Sequence, residues 1–446
     1  MHDFENVLKR SGAIVPFKAE RISNAIYRAA VAVGGRDKEL AESLTEKVIE
    51  YLHKNEKVTS TPDIEQVQDA IEKVLIENGH AKVSKAFILY REERNKKRQT
   101  EVQHSSRSSA SIPWRKIWHG LDWAVKYNLN TYSSMNRRIQ EGEFPIIVHE
   151  SEKAYENDLE TVSEEIISKA NELKVVLVSG PSASGKTTTT LKLEQKLKAK
   201  GYKFKALEVD HYFFDLELHP KDEFGDYDFE TPQALDLDLI NDHLDKLCKG
   251  QEVKIPYYDF KNGKRHLNRT PIQLEENEIL LIDSLHGLFP KFSEGISVDH
   301  KFRIYIEPLI QMKGPDDEYV QWTDIRLMRR MLRDAVHRAY NPKQTLEHWH
   351  YVRSSELRNI MPYIGNADYI VSSAMPYELA LYGPKLQSHF AEWAKEYKND
   401  PLREDAYMRA NRINELLSAI VGITDESSVP KDSVLREFIG GSIYTG

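Results

Sequence analysis

The segment GPSASGKT at residues 180–187 limits what this chain can fold into more than any other part of the sequence. It fits the pattern G-x-x-x-x-G-K-[ST], with the apolar run VVLVS before it and the helical pattern TTTTLKLEQKLKAKG after it. A strand, a glycine-rich loop and a helix in this order let backbone N–H groups and the helix N-terminus face a triphosphate. A tight glycine turn without a ligand is the alternative, but it does not require all three parts to coincide.

Individual residues of this loop have distinct expected roles. We expect Lys186 to bridge the β and γ phosphates of ATP and to act in catalysis, and the hydroxyl of Thr187 to reach Mg²⁺. The sequence therefore predicts ATP and Mg²⁺ as cofactors. The residues expected to hold the ATP phosphates are Gly180, Ser182, Ala183, Ser184, Gly185, Lys186, Thr187 and Thr188.

Between residues 174 and 375, short apolar segments alternate with helical patterns. The segments are KVVLVSG, FKALEVD, EILLIDS, KFRIYIE and ADYIVSS. Such alternation is typical of parallel βαβ units. We therefore predict an α/β fold, with a P-loop domain of three layers built on a parallel sheet.

Two aspartates end predicted strands of this sheet. Asp210 closes FKALEVD and Asp283 closes EILLIDS, and ligands gather at the carboxyl ends of strands in an open α/β sheet. Apolar residues precede Asp283, which is the Walker B arrangement, so we expect it to hold Mg²⁺ directly or through water. Asp210 stands where a carboxylate can accept the proton of an attacking hydroxyl. The structural alternatives are helix capping by Asp283 and turn formation by Asp210.

Length and composition bound the remaining choices. A chain of 446 residues exceeds what one hydrophobic core usually organises, so we expect several domains. Its net charge of −8 gives no reason to expect nucleic-acid binding. No apolar run approaches the roughly 18 residues of a membrane span, and the N-terminus lacks the apolar core of a secretory signal. We therefore expect no membrane association and a cytoplasmic location.

The sequence divides into four predicted parts. Residues 1–98 form a compact, mostly helical unit, and the basic, serine-rich run REERNKKRQTEVQHSSRSSAS, which begins at Arg91, marks its boundary. Residues 99–172 are predicted to be a linker and helical connector without a recognisable motif. Residues 173–375 hold the α/β domain, and residues 376–446 form a helical C-terminal extension.

Segments beyond the phosphate loop carry a family resemblance. Asp210, the segment FETP at 229–232 and the segment PYYDF at 256–260 follow the loop in this order. Together they resemble the uridine kinase and phosphoribulokinase family of P-loop kinases, across residues 174–375. The resemblance implies that Asp210 is the general base for a 5′-hydroxyl and that Glu230 contacts the ribose hydroxyls.

The same resemblance implies that Tyr258 and Phe260 border the nucleobase, and aromatic walls suit a flat heterocycle. Two positions depart from the family pattern. Uridine kinases typically have glutamate where this chain has Asp283, and a base-recognising histidine where it has Gly263. Uridine, cytidine and thymidine therefore all stay open as acceptors.

The arginine-rich pattern TDIRLMRRMLRD at residues 323–334 resembles the lid helix of this family. The resemblance implies that guanidinium groups cover the γ phosphate and neutralise charge on the transferring group. It implies a catalytic role for Arg333, contact with the ATP phosphates for Arg329, and contact with the substrate for Arg326. A solvated basic helix face is the alternative.

Residues 5–95 resemble the ATP cone, a small regulatory domain found at the front of many ribonucleotide reductases. The segments VLKRSG, VPFK and AFILYREER carry the resemblance. It implies an allosteric site for ATP or dATP, where Lys9, Arg10 and Arg21 concentrate positive charge. These residues as ordinary surface charge are the alternative. Because such cones often act through oligomerisation, the resemblance also implies a homo-oligomer.

Three functions remain open from the sequence. The leading hypothesis is a nucleoside kinase that transfers the γ phosphate of ATP to a 5′-hydroxyl. A kinase for a sugar phosphate or small organic acid is the alternative among enzymes, because the loop and metal ligands do not specify the acceptor. A non-catalytic nucleotide-sensing protein is the alternative of another class, although the retained Lys186, Asp210 and Asp283 argue against it.

Overall fold

The structure is a computed structural model that describes residues 4–8, 14–55, 58, 60–89, 91, 112–220, 229–337 and 341–444. The chain divides into two compact units. The first comprises Met1–Arg107 and Glu396–Glu404, and the second comprises Ser108–Lys395 and Asp405–Gly446.

The first unit is mostly helical, as the sequence predicts. Strand β1 (Asn6–Leu8) pairs antiparallel with β2 (Ile14–Pro16). The helices are α1 (Ala19–Val31), α2 (Lys38–Lys54), α3 (Ile64–Glu77) and α4 over residues 81–89. Apolar residues spaced by three or four positions place one face of each of the first three helices in a shared core. A capping box fixes the start of α3, because Asp63 accepts from the Gln66 N–H and the Gln66 side chain accepts from the Asp63 N–H.

The second unit contains the remaining elements. Its strands are β3 (Val175–Ser179), β4 (Lys203–Ala206), β5 (Val253–Asp259), β6 (Lys264–Ile272), β7 (Glu278–Ser284), β8 (Lys301–Glu307) and β9 (Tyr369–Ser372). Its α-helices are α5 (Trp114–Lys126), α6 (Tyr132–Gln140), α7 (Phe144–Lys169), α8 (Lys186–Ala199), α9 (Leu237–Cys248), α10 (Trp322–His337), α11 (Pro342–Asn359), α12 (Glu378–Tyr397), α13 (Glu404–Ala419) and α14 (Arg436–Ile439).

The central sheet has five parallel strands in the order β4-β7-β3-β8-β9. Every residue of β3 is buried, as expected for the middle strand of a parallel sheet that helices cover. The predicted α/β fold class is therefore confirmed. The register pairs Val178 of β3 with Asp283 of β7, so the carboxyl end of β7 lies beside the start of the phosphate loop.

A separate antiparallel hairpin, β5 and β6, stands beside this sheet. Its register shifts between Ile255 and Tyr257, so the strand is irregular just before the PYYDF aromatic residues. Apolar side chains of the hairpin, α9 and β7 share one core, which fixes the hairpin against the sheet. The hairpin is thereby positioned to contribute to the site at the carboxyl ends of the strands.

Helices α5–α7 and most of the chain after β9 belong to the same compact unit as the sheet. Tyr155 of α7 forms a hydrogen bond of 2.7 Å with the hydroxyl of Thr189 on α8, so the long helix braces the phosphate-loop helix. Within the part of the chain that the structure describes, no helix combines the length and apolar character needed to cross a bilayer.

Candidate active site

The phosphate loop links β3 to α8. Gly185, which precedes the first residue of α8, has a φ of +90°, and Ala183 also has a positive φ of 58°. The first helical hydrogen bond runs from the Thr189 N–H to the Gly185 carbonyl at 3.1 Å. Helix geometry therefore leaves the N–H groups of the first turn without intrahelical acceptors, as an anion site requires. The Lys186 ammonium donates to the Pro181 carbonyl at 3.2 Å.

Two glycines of the loop could not carry a side chain. A Cβ on Gly180 would lie 2.3 Å from the carbonyl oxygen of Ile306 on β8. A Cβ on Gly185 would lie 2.5 Å from Cγ2 of Val434, and its φ is one that L residues rarely adopt. The glycine spacing of the motif thus has a steric cause in this chain.

Thr187 in the first turn of α8 meets Asp283 near the carboxyl end of β7. The Thr187 hydroxyl donates to Asp283 Oδ2 at 3.3 Å. The pKa of Asp283 is raised to about 6, chiefly by burial and with smaller contributions from the carboxylates of Glu437 and Asp210, while the Lys186 ammonium acts in the opposite direction. A hydroxyl and a carboxylate are oxygen ligands of the kind that Mg²⁺ prefers.

The Thr187 hydroxyl and the Asp283 carboxylate fit a magnesium site in which the nucleotide phosphates supply further ligands. Among the residues described, no group of three or more His, Cys, Asp or Glu side chains could hold a metal ion. Mg²⁺ commonly binds through one or two carboxylates together with substrate phosphates and water. The pair of Thr187 and Asp283 beside the phosphate loop matches that ligand set.

Asp210 does not end a strand, because β4 stops at Ala206. It lies instead in the 3₁₀ turn Val209–Tyr212, where its side chain is exposed. The turn is tied to the hairpin, since the Tyr258 N–H donates to Nδ1 of His211 at 3.2 Å. The carboxylate of Asp210 is also one of the charges that raise the pKa of Asp283.

Aromatic side chains form a cluster beside this turn. Phe213 makes edge contacts with Tyr258 at 5.7 Å and Phe229 at 5.6 Å between ring centroids, and Tyr258 meets Phe260 at 4.9 Å. Tyr258 is only 2% exposed, whereas Phe260 is 60% exposed. The buried Tyr258 hydroxyl has no hydrogen-bond partner among the described residues, and burial raises its pKa. The structure thus brings Tyr258 and Phe260 together near Asp210.

Two arginines of α10 are placed differently from the sequence expectation. Arg326 and Arg329 are both fully buried. Arg326 donates to Glu307 at 3.2 Å and to both carboxylate oxygens of Glu356, and Arg329 donates to both carboxylate oxygens of Glu378. Buried guanidinium groups engaged in ion pairs are not available to cover a γ phosphate or a substrate. The lid roles predicted for Arg326 and Arg329 therefore disagree with this geometry.

The buried arginines instead support the phosphate loop through its carbonyl oxygens. Arg326 Nη1 donates to the Ser182 carbonyl at 3.1 Å. Arg329 donates to the carbonyl of Ser373 at 2.7 Å, and the Ser373 hydroxyl donates to the Ser184 carbonyl at 2.5 Å. Both chains of contacts end on carbonyl oxygens of the phosphate loop.

The other arginines of α10 are only half-buried. Arg330 Nη1 lies 3.3 Å from the Ser182 hydroxyl and 3.2 Å from Oε1 of Glu230, so it joins the phosphate loop to the residue expected to contact ribose. Arg333 contacts Asp334 at 3.3 Å. Arg330 is one of the arginines that the family resemblance predicts for the lid helix, and its spacing of four residues from Arg326 puts both on one helix face.

Three further residues near the site were not identified from the sequence. Phe213 is central to the aromatic cluster and lies within the DHYFFD segment that begins at Asp210. His286 follows the Walker B strand, and burial together with the Lys186 ammonium lowers its pKa to about 3, so its imidazole is neutral. Glu437 hydrogen-bonds Thr188 from far along the chain, and no local pattern predicts that contact.

The residues proposed for the allosteric site are only partly visible. Lys9 and Arg10 lie outside the described residues. Arg21 is exposed in the first two turns of α1. The described part of the first unit therefore supplies one of the three predicted cations.

Comparison with known proteins agrees with this geometry. The model of the ATP cone domain matches residues 5–96, and that of the Phosphoribulokinase / Uridine kinase family matches residues 175–379. A uridine kinase of Chloroflexus aurantiacus is 31% identical over 198 residues, which cover 44% of this chain and 85% of that protein. A uridine kinase of Halobacterium salinarum is 24% identical over 234 residues, which cover 51% of this chain and 94% of that protein. The chain thus belongs to the phosphoribulokinase and uridine kinase family of kinases and carries an ATP-cone domain at its N-terminus.

Proposed function

We propose that this kinase transfers the γ phosphate of ATP to the 5′-hydroxyl of a nucleoside. The observation that carries the proposal is the hydrogen bond from the Tyr258 N–H to His211, which joins the aromatic cluster to the turn bearing Asp210. This contact ties the hairpin that bears exposed Phe260 to the turn that bears the exposed carboxylate of Asp210. A nucleoside could place its flat base against the aromatic side chain and its 5′-hydroxyl at the carboxylate.

In this proposal Asp210 accepts the proton of the 5′-hydroxyl as that oxygen attacks the γ phosphorus. Lys186 holds the β and γ phosphates, and half-buried Arg330 and Arg333 supply positive charge at the edge of the site. Mg²⁺ held by Thr187 and Asp283 would neutralise charge on the phosphate oxygens. Most of the catalysis is therefore positioning and charge stabilisation, as is general for phosphoryl transfer.

Recognition of the acceptor is assigned to the hairpin and to Glu230. The carboxylate of Glu230 is held by Arg330, and its backbone carbonyl accepts from the Ser355 hydroxyl. An oriented carboxylate of this kind suits the vicinal hydroxyls of ribose. Exposed Phe260 supplies the wall for the base, and buried Tyr258 packs against that ring at 4.9 Å between ring centroids.

The test measures ADP release by the full chain with ATP, Mg²⁺ and a panel of acceptors. The panel contains ribonucleosides, deoxynucleosides, ribulose 5-phosphate and glycerate. We expect turnover with a nucleoside, and we expect Asp210→Asn to reduce kcat by about 10² to 10⁴-fold without weakening ATP binding. Glu217→Gln is the matched control, because Glu217 is an exposed carboxylate of the following loop that pairs with Lys264. Turnover restricted to the sugar phosphate or the acid, or an unchanged Asp210→Asn variant, would contradict the proposal.

We further infer that the ATP cone binds ATP or dATP and controls activity through homo-oligomerisation. If the effector alters the affinity of the kinase unit for its nucleoside, the coupling is reciprocal, and the nucleoside alters effector affinity by the same factor. The acceptor panel is therefore run with and without dATP, and the mass of the protein in solution is measured under both conditions. No effect of dATP on either activity or mass would contradict this part.

A further inference from the structure

The C-terminal segment, residues 429–444, runs along the phosphate-loop helix α8. The Lys192 ammonium donates to the side chain of Asp432 at 3.0 Å, and the Tyr444 hydroxyl donates to the Gln195 side chain at 3.0 Å. Ser433 is fully buried and donates to the carboxylate of Glu152 on α7. The segment is thus fixed to the helix that begins at the phosphate loop.

At the loop end of α8 this segment places a carboxylate on the phosphate-binding groups. Oε2 of Glu437 accepts from the Thr188 N–H at 3.2 Å and from the Thr188 hydroxyl at 2.8 Å. Thr188 is the third residue of α8, so its N–H belongs to the helix turn that has no intrahelical acceptor. Its N–H and hydroxyl are donors that a phosphate would otherwise use.

The position of Thr188 indicates which phosphate competes. In a phosphate loop the backbone N–H groups cradle the α and β phosphates, while the lysine reaches the β and γ phosphates. Thr188 lies two residues beyond Lys186, further from the γ end, so its donors face the α phosphate. A carboxylate is an acceptor-only anion, and it can take the place of a phosphate oxygen on both donors.

Most of the C-terminal segment is too well packed to leave when a nucleotide binds. Val434, Leu435 and Phe438 are fully buried, and the guanidinium of Arg329 lies 5.0 Å from the ring centroid of Phe438. Val434 also contacts the loop directly at Gly185. The part that must move is therefore the side chain of Glu437, which can turn away while the segment stays in place.

We propose that Glu437 is a residue of the nucleotide site whose carboxylate occupies the α-phosphate position, so that ATP and ADP must displace it to bind. This inference rests on the proposed function only in assigning a nucleotide to the phosphate loop. Glu437 lowers nucleotide affinity in two ways. Its hydrogen bonds to Thr188 must break, and its negative charge repels the incoming phosphate.

The experiment is equilibrium dialysis of the full chain with radiolabelled ADP or ATP, in the absence of any acceptor. Because the ATP cone is a second candidate nucleotide site, each protein is also made with Lys186→Ala, which removes the phosphate-loop contribution. We expect Glu437→Gln to tighten nucleotide binding at the loop by about tenfold, since the neutral amide holds Thr188 less strongly and does not repel phosphate. The gain is expected to be equal for ADP and ATP, because both have an α phosphate.

Two further variants make the result specific. Asp425→Asn removes one exposed carboxylate, which accepts from the nearby Ser427 backbone and side chain, and its nucleotide affinity is expected to match the wild type. Glu437→Asp keeps the charge but shortens the side chain, and a smaller gain is expected. It also serves as a second test should Glu437→Gln fail to fold.

Unchanged or weaker binding in Glu437→Gln overturns the inference, as does a gain that persists in the Lys186→Ala background. Nucleotide absent from the loop in every protein overturns both the inference and the proposed function. A tenfold gain without turnover of any nucleoside leaves the inference standing and refutes only the proposed acceptor. Binding is measured without an acceptor, so the two failures are distinguishable.

Discussion

Replacing Arg329 with methionine tests whether the arginines of α10 are a lid or a buried support. Both Arg329 and Glu378 are fully buried, and they are joined by hydrogen bonds of 2.7 and 2.9 Å. Arg329→Met would leave the Glu378 carboxylate in the core with the Tyr382 hydroxyl, 2.9 Å away, as a remaining donor. Breaking a buried pair in this way costs about 3–5 kcal/mol of unfolding free energy, because a charge is left uncompensated.

The double variant Arg329→Met with Glu378→Met separates charge from packing. With both charges gone, we expect it to be more stable than Arg329→Met alone, because a buried pair replaced by apolar groups of similar volume is often close to neutral. Urea unfolding followed by tryptophan fluorescence reads the second unit alone, since all 6 tryptophans lie within it. They are Trp114, Trp118, Trp123, Trp322, Trp349 and Trp393.

A lid arginine would behave in the opposite way. If Arg329 contacted the γ phosphate, Arg329→Met would have the same midpoint of urea unfolding as the wild type but would lose turnover. The reasoning would also be refuted if the double variant lost as much unfolding free energy as Arg329→Met and Glu378→Met lose together. Such additivity would show that the two residues act independently. Surface-exposed Arg358 of α11, changed to methionine, controls for loss of one positive charge.

Two further predictions concern the site itself. The pKa of Asp283 is raised to about 6, chiefly by burial, so the folded state favours the neutral carboxyl group more than the unfolded state does. Its contribution to the free energy of unfolding is therefore present below about pH 4 and is lost as the pH rises through about 6. Relative to Asp283→Asn, the nucleotide-free wild type should lose about 3 kcal/mol of unfolding free energy across that range, and equal pH profiles would contradict the assignment. Phe260→Ala removes the exposed ring of the aromatic cluster, so it should raise the KM for the nucleoside about tenfold at an unchanged KM for ATP. A nucleoside KM that does not change would remove Phe260 from the acceptor site.

The phosphate loop and the sheet could be predicted because their determinants are local. The motif, the preceding apolar strand and the following helix occupy one continuous stretch, and each apolar strand is a short run of its own. Asp283 ends such a run, so its position next to the loop follows from the topology of parallel strands. Asp210 follows β4 but lies in a 3₁₀ turn, because β4 is shorter than its apolar pattern suggests.

The orientation of α10 could not be predicted, because the partners of its arginines are distant in sequence. Glu356 is 30 residues from Arg326, and Glu378 is 49 residues from Arg329. A helix with several arginines gives no sign of which one faces a buried carboxylate. Burial of a guanidinium is tolerated only with such a partner, so the tertiary contact decides the role of each arginine.

The buried arginines also explain how the loop keeps its N–H groups available. A peptide unit is planar and trans, so its carbonyl oxygen and its N–H point in opposite directions. Arg326 and Ser373 hold the carbonyl oxygens of Ser182 and Ser184, which turns the next N–H groups of the loop away from these supports. An arginine on the ligand side would bind one phosphate, whereas an arginine on the carbonyl side orients the loop before any phosphate arrives. Arg329 acts on the loop only through Ser373, so removing it should weaken nucleotide binding only if Ser373 moves. The main effect of its removal should be a lower free energy of unfolding.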